Sequence, residues 1–252
     1  MVDWLRRLDC REAADANLFC FSHAGGTAAH FRLWPGGLPP HLAVWGMQLP
    51  GRPGRMREPP IDSMPALAET LAEALLPHLE KPYALFGHSM GAVLAFETAS
   101  ALARRGAPAP WHLFVSSRRP PHLPGTTPDM HRLNDADFVA EINRRYGGIP
   151  PELQQERDVM ELLLPGLRAD IAALETHRPQ HCAPLGVPIT ACGGIEDRLI
   201  TPTDIAAWGA LTTGHFQVRM FAGGHFYLEA QRAALLGHLS ATLAPMLRRA
   251  AA

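Results

Sequence analysis

KPYALFGHSMGAVLAFETASALARRG, Lys81 to Gly106, reads as a buried strand, a sharp turn that carries a serine, and a long helix. The apolar run Tyr83 to Phe86 predicts the strand, and the helix runs from Met90 to a stop where Arg104 and Arg105 precede Gly106. Between them lies Gly87-His88-Ser89-Met90-Gly91, a G-x-S-x-G pattern in the strand, turn and helix setting that gives it meaning. The glycines have a steric reason. Positions two residues to either side of a serine on a strained turn face neighbouring backbone, where a Cβ would clash. The turn lifts the Ser89 hydroxyl clear of the sheet. The following helix points its positive end at any negative charge developing there, so the Met90 amide is a candidate oxyanion donor.

Composition bounds the rest. With 252 residues, 47% of them apolar, the chain can fill the core of one α/β domain, and a single domain over 1–252 is expected. A net charge of −1 removes the electrostatic footprint of a nucleic-acid binder, so no DNA or RNA partner is expected. Cys10, Cys20, Cys182 and Cys192 show no C-x-x-C spacing, and Cys20 and Cys192 fall in predicted strands. Reduced, packed thiols and no metal site follow. The opening MVDWLRRLDC lacks an apolar signal core, and no later run approaches the roughly 18 apolar residues of a membrane span. The expectation is a soluble, cytoplasmic protein without membrane association.

Around the serine turn the pattern alternates. Asn17 to Phe21 and Leu42 to Leu49 read as buried strands, with a short helix between them over Thr27 to Leu38. A helix over Met64 to Leu79 precedes the Ser89 strand, and another strand over Trp111 to Ser116 follows its helix. Strands separated by helices imply parallel βαβ units with helices on both faces, and ligands in such sheets bind beyond the carboxyl ends of the strands. Loops after Phe21, Phe86 and Val115 should converge there. The first is His23-Ala24-Gly25-Gly26, similar to the HGGG-type loop that supplies a second oxyanion amide, with Ala24 as the donor. His23 and His88 are expected to prop their turns rather than react.

From about 122 to 182 the alternation breaks. Helical segments over Asp135 to Tyr146, Pro151 to Leu164 and Leu167 to Thr176 place Leu162, Leu163, Leu164, Leu167, Ile171 and Leu174 where no strand needs covering. A helical lid above the sheet ends, with an apolar underside suited to an acyl chain, is the expectation. Alternation resumes with strands Val187 to Gly194 and Gln217 to Phe221, then a last helix over Leu228 to Leu247. Asp197 follows the first of these strands and His225 the second. The order Ser89, Asp197, His225 is that of an α/β-hydrolase. Glu196 and Asp204 lie near enough to Asp197 to compete for its place, whereas the loop after Val115, used for the acid in some relatives, carries Ser116 and Ser117.

Five stretches together carry a more specific likeness: Phe21 to Gly26, Gln48-Leu49-Pro50-Gly51-Arg52 with Arg57 to Pro59, Phe86 to Gly91, Gly193 to Asp197, and Gly223-Gly224-His225-Phe226. On these the chain resembles, nearly end to end, the type II thioesterases that accompany polyketide and nonribosomal peptide synthases. Ser22 departs from the proline usual before the first histidine. The resemblance implies an α/β-hydrolase with a mobile helical lid that hydrolyses acyl groups from the phosphopantetheine arm of acyl or peptidyl carrier proteins. It implies no cofactor, and a monomer is expected. Ser89 would attack the thioester, His225 would take its proton and later activate water, Asp197 would orient the imidazole, and the Ala24 and Met90 amides would hold the oxyanion. A small-molecule carboxylesterase or lipase on the same scaffold is the rival enzyme reading, and a non-catalytic receptor with a hydrolase fold is the rival of another class. Because carrier proteins of this kind are acidic, Arg118 and Arg119 are candidates for a local basic patch at the pocket mouth, the alternative being that two arginines in a loop are merely solvated.

Overall fold

In the computed structural model, residues 4–11, 14–123, 129–147, 149, 151–179 and 182–250 are described. Seven strands form the sheet: β1 Leu5–Arg7, β2 Ala16–Phe21, β3 Leu42–Met47, β4 Tyr83–His88, β5 Leu113–Ser116, β6 Ile189–Gly194 and β7 Phe216–Phe221. Their spatial order is β1-β3-β2-β4-β5-β6-β7, with β1 antiparallel to β3 and every other pair parallel. The strand that carries the serine turn, β4, is therefore central, and all six of its residues are buried. Successive side chains go to opposite faces. Phe19, Phe21, Leu85, Leu113 and Val115 join one core cluster, while Leu18, Cys20, Phe86 and Phe114 join another.

Helices α1 Met64–Leu75 and α2 Met90–Arg104 cover the first face. Leu67, Ala68, Leu71, Ala72 and Leu75 give α1 the spacing of one buried stripe. The sequence predicts this helix to Leu79; it ends at Leu75 and continues as a 3-10 turn, Leu76–His78, because Pro77 lacks the N–H an α-helix needs. Between β2 and β3 two 3-10 turns, Ala28–Phe31 and Pro35–Gly37, replace the expected helix, with Pro35 restarting the chain after buried Trp34. The remaining helices are α3 Asp135–Tyr146, α4 Pro151–Gln155, α5 Arg157–Thr176, α6 Pro202–Ala206, α7 Tyr227–Ala230 and α8 Arg232–Ala250. The predicted C-terminal helix is thus two, separated at Gln231.

The segment between β5 and β6 corrects the sequence reading in two respects. Its break lies at Glu156 and not at Pro165, and α5 runs unbroken through Pro165. Pro165 cannot bond the Glu161 carbonyl, but both residues are exposed, so that acceptor is not sealed away from solvent. Met130, Phe138, Ile142, Met160, Leu164 and Ile171 form a third apolar cluster there. Leu162, expected on the same apolar face, is 58% exposed and points away.

Candidate active site

Ser89 sits at the β4 to α2 corner with φ 55° and ψ −116°, a conformation that non-glycine residues rarely hold. What holds it is close backbone packing. A Cβ on Gly87 would lie 2.0 Å from the Gly91 carbonyl oxygen, and one on Gly91 would lie 2.1 Å from the Phe21 carbonyl oxygen. Both glycines are thus required by the approach of α2 to β2 and β4. Gly91→Ala is expected to cost at least about 3 kcal/mol, seen as a fall of about 6 to 12 °C in Tm for a chain of this size. A variant melting within about 2 °C of the parent would show that the corner can relax.

Three carboxyl-end loops meet the elbow. Ser89 N–H donates to the Ser116 carbonyl at 2.8 Å, while beneath it His88 Nδ1 lies 2.9 Å from Ser116 Oγ, which lies 2.8 Å from the Tyr227 hydroxyl. His88 is fully buried, and burial first, then the neighbouring histidines, push its pKa well below the ordinary value. It is a neutral strut. His23 forms part of the cavity wall, edge-on to His30 at 4.7 Å and Phe226 at 5.0 Å. Burial, aided by His30, His225 and Arg52, lowers its pKa to about 3.

The predicted triad residues come together. His225 Nε2 is 3.0 Å from Ser89 Oγ, and its Nδ1 is 2.9 Å from Asp197 Oδ2. Because a carboxylate only accepts, Nδ1 carries the proton and Nε2 accepts from the serine hydroxyl. Asp197 Oδ1 accepts from the Leu199 and Ile200 amides at 2.9 and 3.3 Å. Burial works to raise the Asp197 pKa, but the His225 hydrogen bond and charge and the two amides outweigh it and hold the carboxyl below its ordinary value. The competing acids are engaged elsewhere. Glu196 accepts from the Gly223 amide, and Asp204 closes a capping box with Thr201 at the start of α6.

Ala24, the other expected oxyanion contributor, lines the cavity beside Ser89, and Met90 opens α2 directly after it. Neither amide has an acceptor in the surrounding loops among the described residues. The cavity has a volume of about 200 Å³. Its floor is Ser89, His225 and Ala24, and its walls are Ile142, Tyr146, Met160, Leu163, Leu164 and neighbours from the helical segment. Tyr146 from α3 packs its ring 5.3 Å from that of His225.

Two readings change. Arg118 and Arg119 do not form a free basic patch. Arg119 pairs with Asp204 at 3.3 Å, and Arg118 is so covered that burial pulls its pKa down, with the Tyr146 hydroxyl beside it. The Trp208 indole also caps the Arg118 carbonyl, fixing this turn to the body of the protein. Sequence reasoning assigned no role to Arg52 or Asp170, which form a buried ion pair at the cavity edge. Burial pushes the Asp170 carboxyl up, opposed by Arg52 and the Gly25 amide. The signal was present: Asp170 falls on the apolar stripe of α5, three residues after Leu167 and four before Leu174.

The fold and the arrangement of Ser89, His225 and Asp197 at strand carboxyl ends are those of an α/β-hydrolase. Residues 16–243 match the thioesterase domain family, and the chain belongs to it. The thioesterase RedJ of the prodiginine pathway in Streptomyces coelicolor superposes with a TM-score of 0.85 at 45% identity, covering 92% of this chain and 91% of that one. Thioesterase PikA5 of Streptomyces venezuelae is 38% identical over 231 residues, 90% of this chain and 81% of that one. The protein named linear gramicidin dehydrogenase LgrE of Brevibacillus parabrevis is 40% identical over 243 residues, 95% of this chain and 92% of that one. Family membership makes the chain a thioester hydrolase.

Proposed function

We propose that this protein is a type II thioesterase that removes acyl groups from the phosphopantetheine arm of acyl or peptidyl carrier proteins in polyketide or nonribosomal peptide biosynthesis, as editing or product release. The observation that carries the reading is the Ser89, His225 and Asp197 relay opening into a chamber walled by apolar side chains. In this reading Ser89 Oγ attacks the thioester carbonyl as His225 Nε2 takes its proton. The tetrahedral oxyanion accepts from the Ala24 and Met90 amides, and collapse expels the arm as a thiol, with His225 returning the proton. Water then attacks the acyl ester on Ser89, activated by the same imidazole. This second half depends most on His225, because an alkoxide is a poorer leaving group than a thiolate. Asp197 keeps the imidazole in the tautomer that both halves need.

The segment at about 122–182 acts as the lid, with the acyl chain lying against its apolar side. A panel of carrier proteins loaded with different acyl groups, weighed by mass spectrometry before and after exposure to the protein, tests this reading directly. Loss of the acyl mass from carriers, at a rate well above that on a nitrophenyl ester of equal chain length, is the expected result. Preference for the nitrophenyl ester would favour a small-molecule carboxylesterase, and absence of turnover with any activated ester would favour a binding protein.

A further inference from the structure

Arg52 belongs to the Leu49-Pro50-Gly51-Arg52 stretch, to which the catalytic steps above give no task. Its side chain and that of Asp170 are only 3% and 4% exposed. A buried ion pair is poor evidence for stability by itself, since well-packed apolar residues of like volume serve as well. What distinguishes this pair is what else it holds. Asp170 Oδ2 accepts from the Gly25 amide at 2.7 Å as well as from Arg52 Nη2, and Arg52 Nε donates to the Gly26 carbonyl at 3.0 Å. The pair therefore grips two peptide units of the loop that follows β2. Gly25 has φ 76° inside a turn that the Gly26 amide closes by donating to the His23 carbonyl at 2.9 Å, so holding Gly25 and Gly26 also holds the His23–Ala24 peptide that carries the Ala24 N–H.

We infer that Arg52 and Asp170 are positioning residues that set the direction of the Ala24 amide, so that the oxyanion loop is held in its working conformation by helix α5. This rests on the proposed catalytic role of Ala24. The contact is direct and tight. A Cβ on Gly25 would lie 3.1 Å from Leu167 Cδ1, and one on Gly166 would lie 2.7 Å from Arg52 Nη1 and 3.1 Å from the Gly51 carbonyl oxygen. Residues 166 to 170 of α5 thus belong mechanically to the oxyanion loop, whatever the rest of the helical segment does. Displacing this part of α5 would release Gly25 and turn the donor away from the substrate carbonyl.

The test compares Asp170→Asn, which keeps an acceptor for Gly25 but loses the charge, with the double substitution Arg52→Met and Asp170→Leu, which removes both charges together. Each is measured for Tm, for kcat and KM on an N-acetylcysteamine thioester, and for the rate at which a fluorophosphonate labels Ser89. The double variant is expected to melt within a few degrees of the parent yet lose about 10²-fold in kcat, the scale of one missing oxyanion donor. Its KM should stay within about twofold of the parent, and labelling should slow in parallel. Asp170→Asn should lose about tenfold. Recovery of parental kcat and labelling in the stable double variant would overturn the inference, as would a loss confined to KM, which would make Arg52 a substrate contact. If the parent labels at Ser89 but ignores thioesters, the substrate reading fails and the labelling rates alone decide this one; if the double variant does not fold, Asp170→Asn decides it by the same readouts. A parent that takes no label at Ser89 would remove both.

Discussion

Ser89→Ala is expected to lower kcat by about 10⁶-fold and Asp197→Asn by about 10⁴-fold, the scales seen when the nucleophile or the orienting acid is removed from a serine hydrolase relay. The asymmetry has a cause in the geometry. Without the serine no acyl-enzyme forms, and what remains is catalysis by the oxyanion donors alone. In the Asp197→Asn protein the ring can still reach Ser89, but the new amide nitrogen facing Nδ1 favours the tautomer whose proton sits on Nε2, where it cannot accept. Asp197 is nearly enclosed, with its side chain 1% exposed, so no water replaces the lost acceptor. Neither change alters volume much, and both proteins should keep the parental Tm. Asp204→Asn and Glu196→Gln are the controls, expected to change kcat by less than about threefold because those carboxylates serve a helix cap and a loop amide. Steady-state kinetics on a soluble thioester measures all four. A severe loss at Asp204 with a mild one at Asp197 would move the acid.

Stability should fall steeply as pH drops below about 6.5. Burial lowers the pKa of His23 to about 3, of His112 to about 4, and of His88 well below its ordinary value. Each stays neutral in the folded chain while the unfolded chain takes up a proton near its ordinary value of about 6.5. Between that value and the folded pKa the unfolded state binds more protons, so acidification favours unfolding. One such group contributes up to about 1.4 kcal/mol per pH unit, so His23 and His112 together give up to about 3 kcal/mol, and His88 acts in the same direction. Over two pH units that is a sizeable share of the roughly 5 to 15 kcal/mol that a typical protein has. For His88 the neighbouring histidines act in the same direction as burial. Denaturant titrations at half-unit steps from about pH 7.5 to 4.5 give the slope directly. His112→Gln, which retains a partner for the Thr190 hydroxyl now 2.8 Å from His112 Nε2, should make the slope shallower by up to about 1.4 kcal/mol per pH unit. A stability that stays level from about pH 7 to 5 would contradict the account.

Much of the site was readable because local rules and tertiary needs agree there. Gly87 and Gly91 had to be glycine for backbone contact, and the sequence pattern records that contact. Asp197 and His225 follow buried strands whose apolar runs are unambiguous, so their loops could be placed at one end of the sheet. Where reading failed, the deciding partner was remote in sequence. Strand β1, Leu5–Arg7, has only Leu5 buried and exists because β3 offers it an edge. Pro165 looked like a helix end because its neighbours do not reveal that the orphaned carbonyl is not sealed away from solvent. Arg118 and Arg119 looked like solvent-facing charge, but Tyr146 and Asp204, which cover and pair them, come from distant segments. Asp170 was visible as an acid on an apolar stripe, yet its meaning needed Arg52, 118 residues away.

Helix α5 passing through Pro165 also separates two jobs along the chain. The residues that touch the oxyanion loop, Leu167 and Asp170, lie after the proline, and Glu175 adds a further anchor by accepting from the Met130 and His131 amides at 3.0 Å. Most of the side chains that shape the chamber wall, from Ile142 through Leu164, lie before it. Under the proposed reading, substitutions in the earlier stretch retailor the acyl group that fits without disturbing the donors that stabilise its transition state. Such a protein can diversify its choice of substrate by ordinary drift in one run of sequence while inheriting its rate from another.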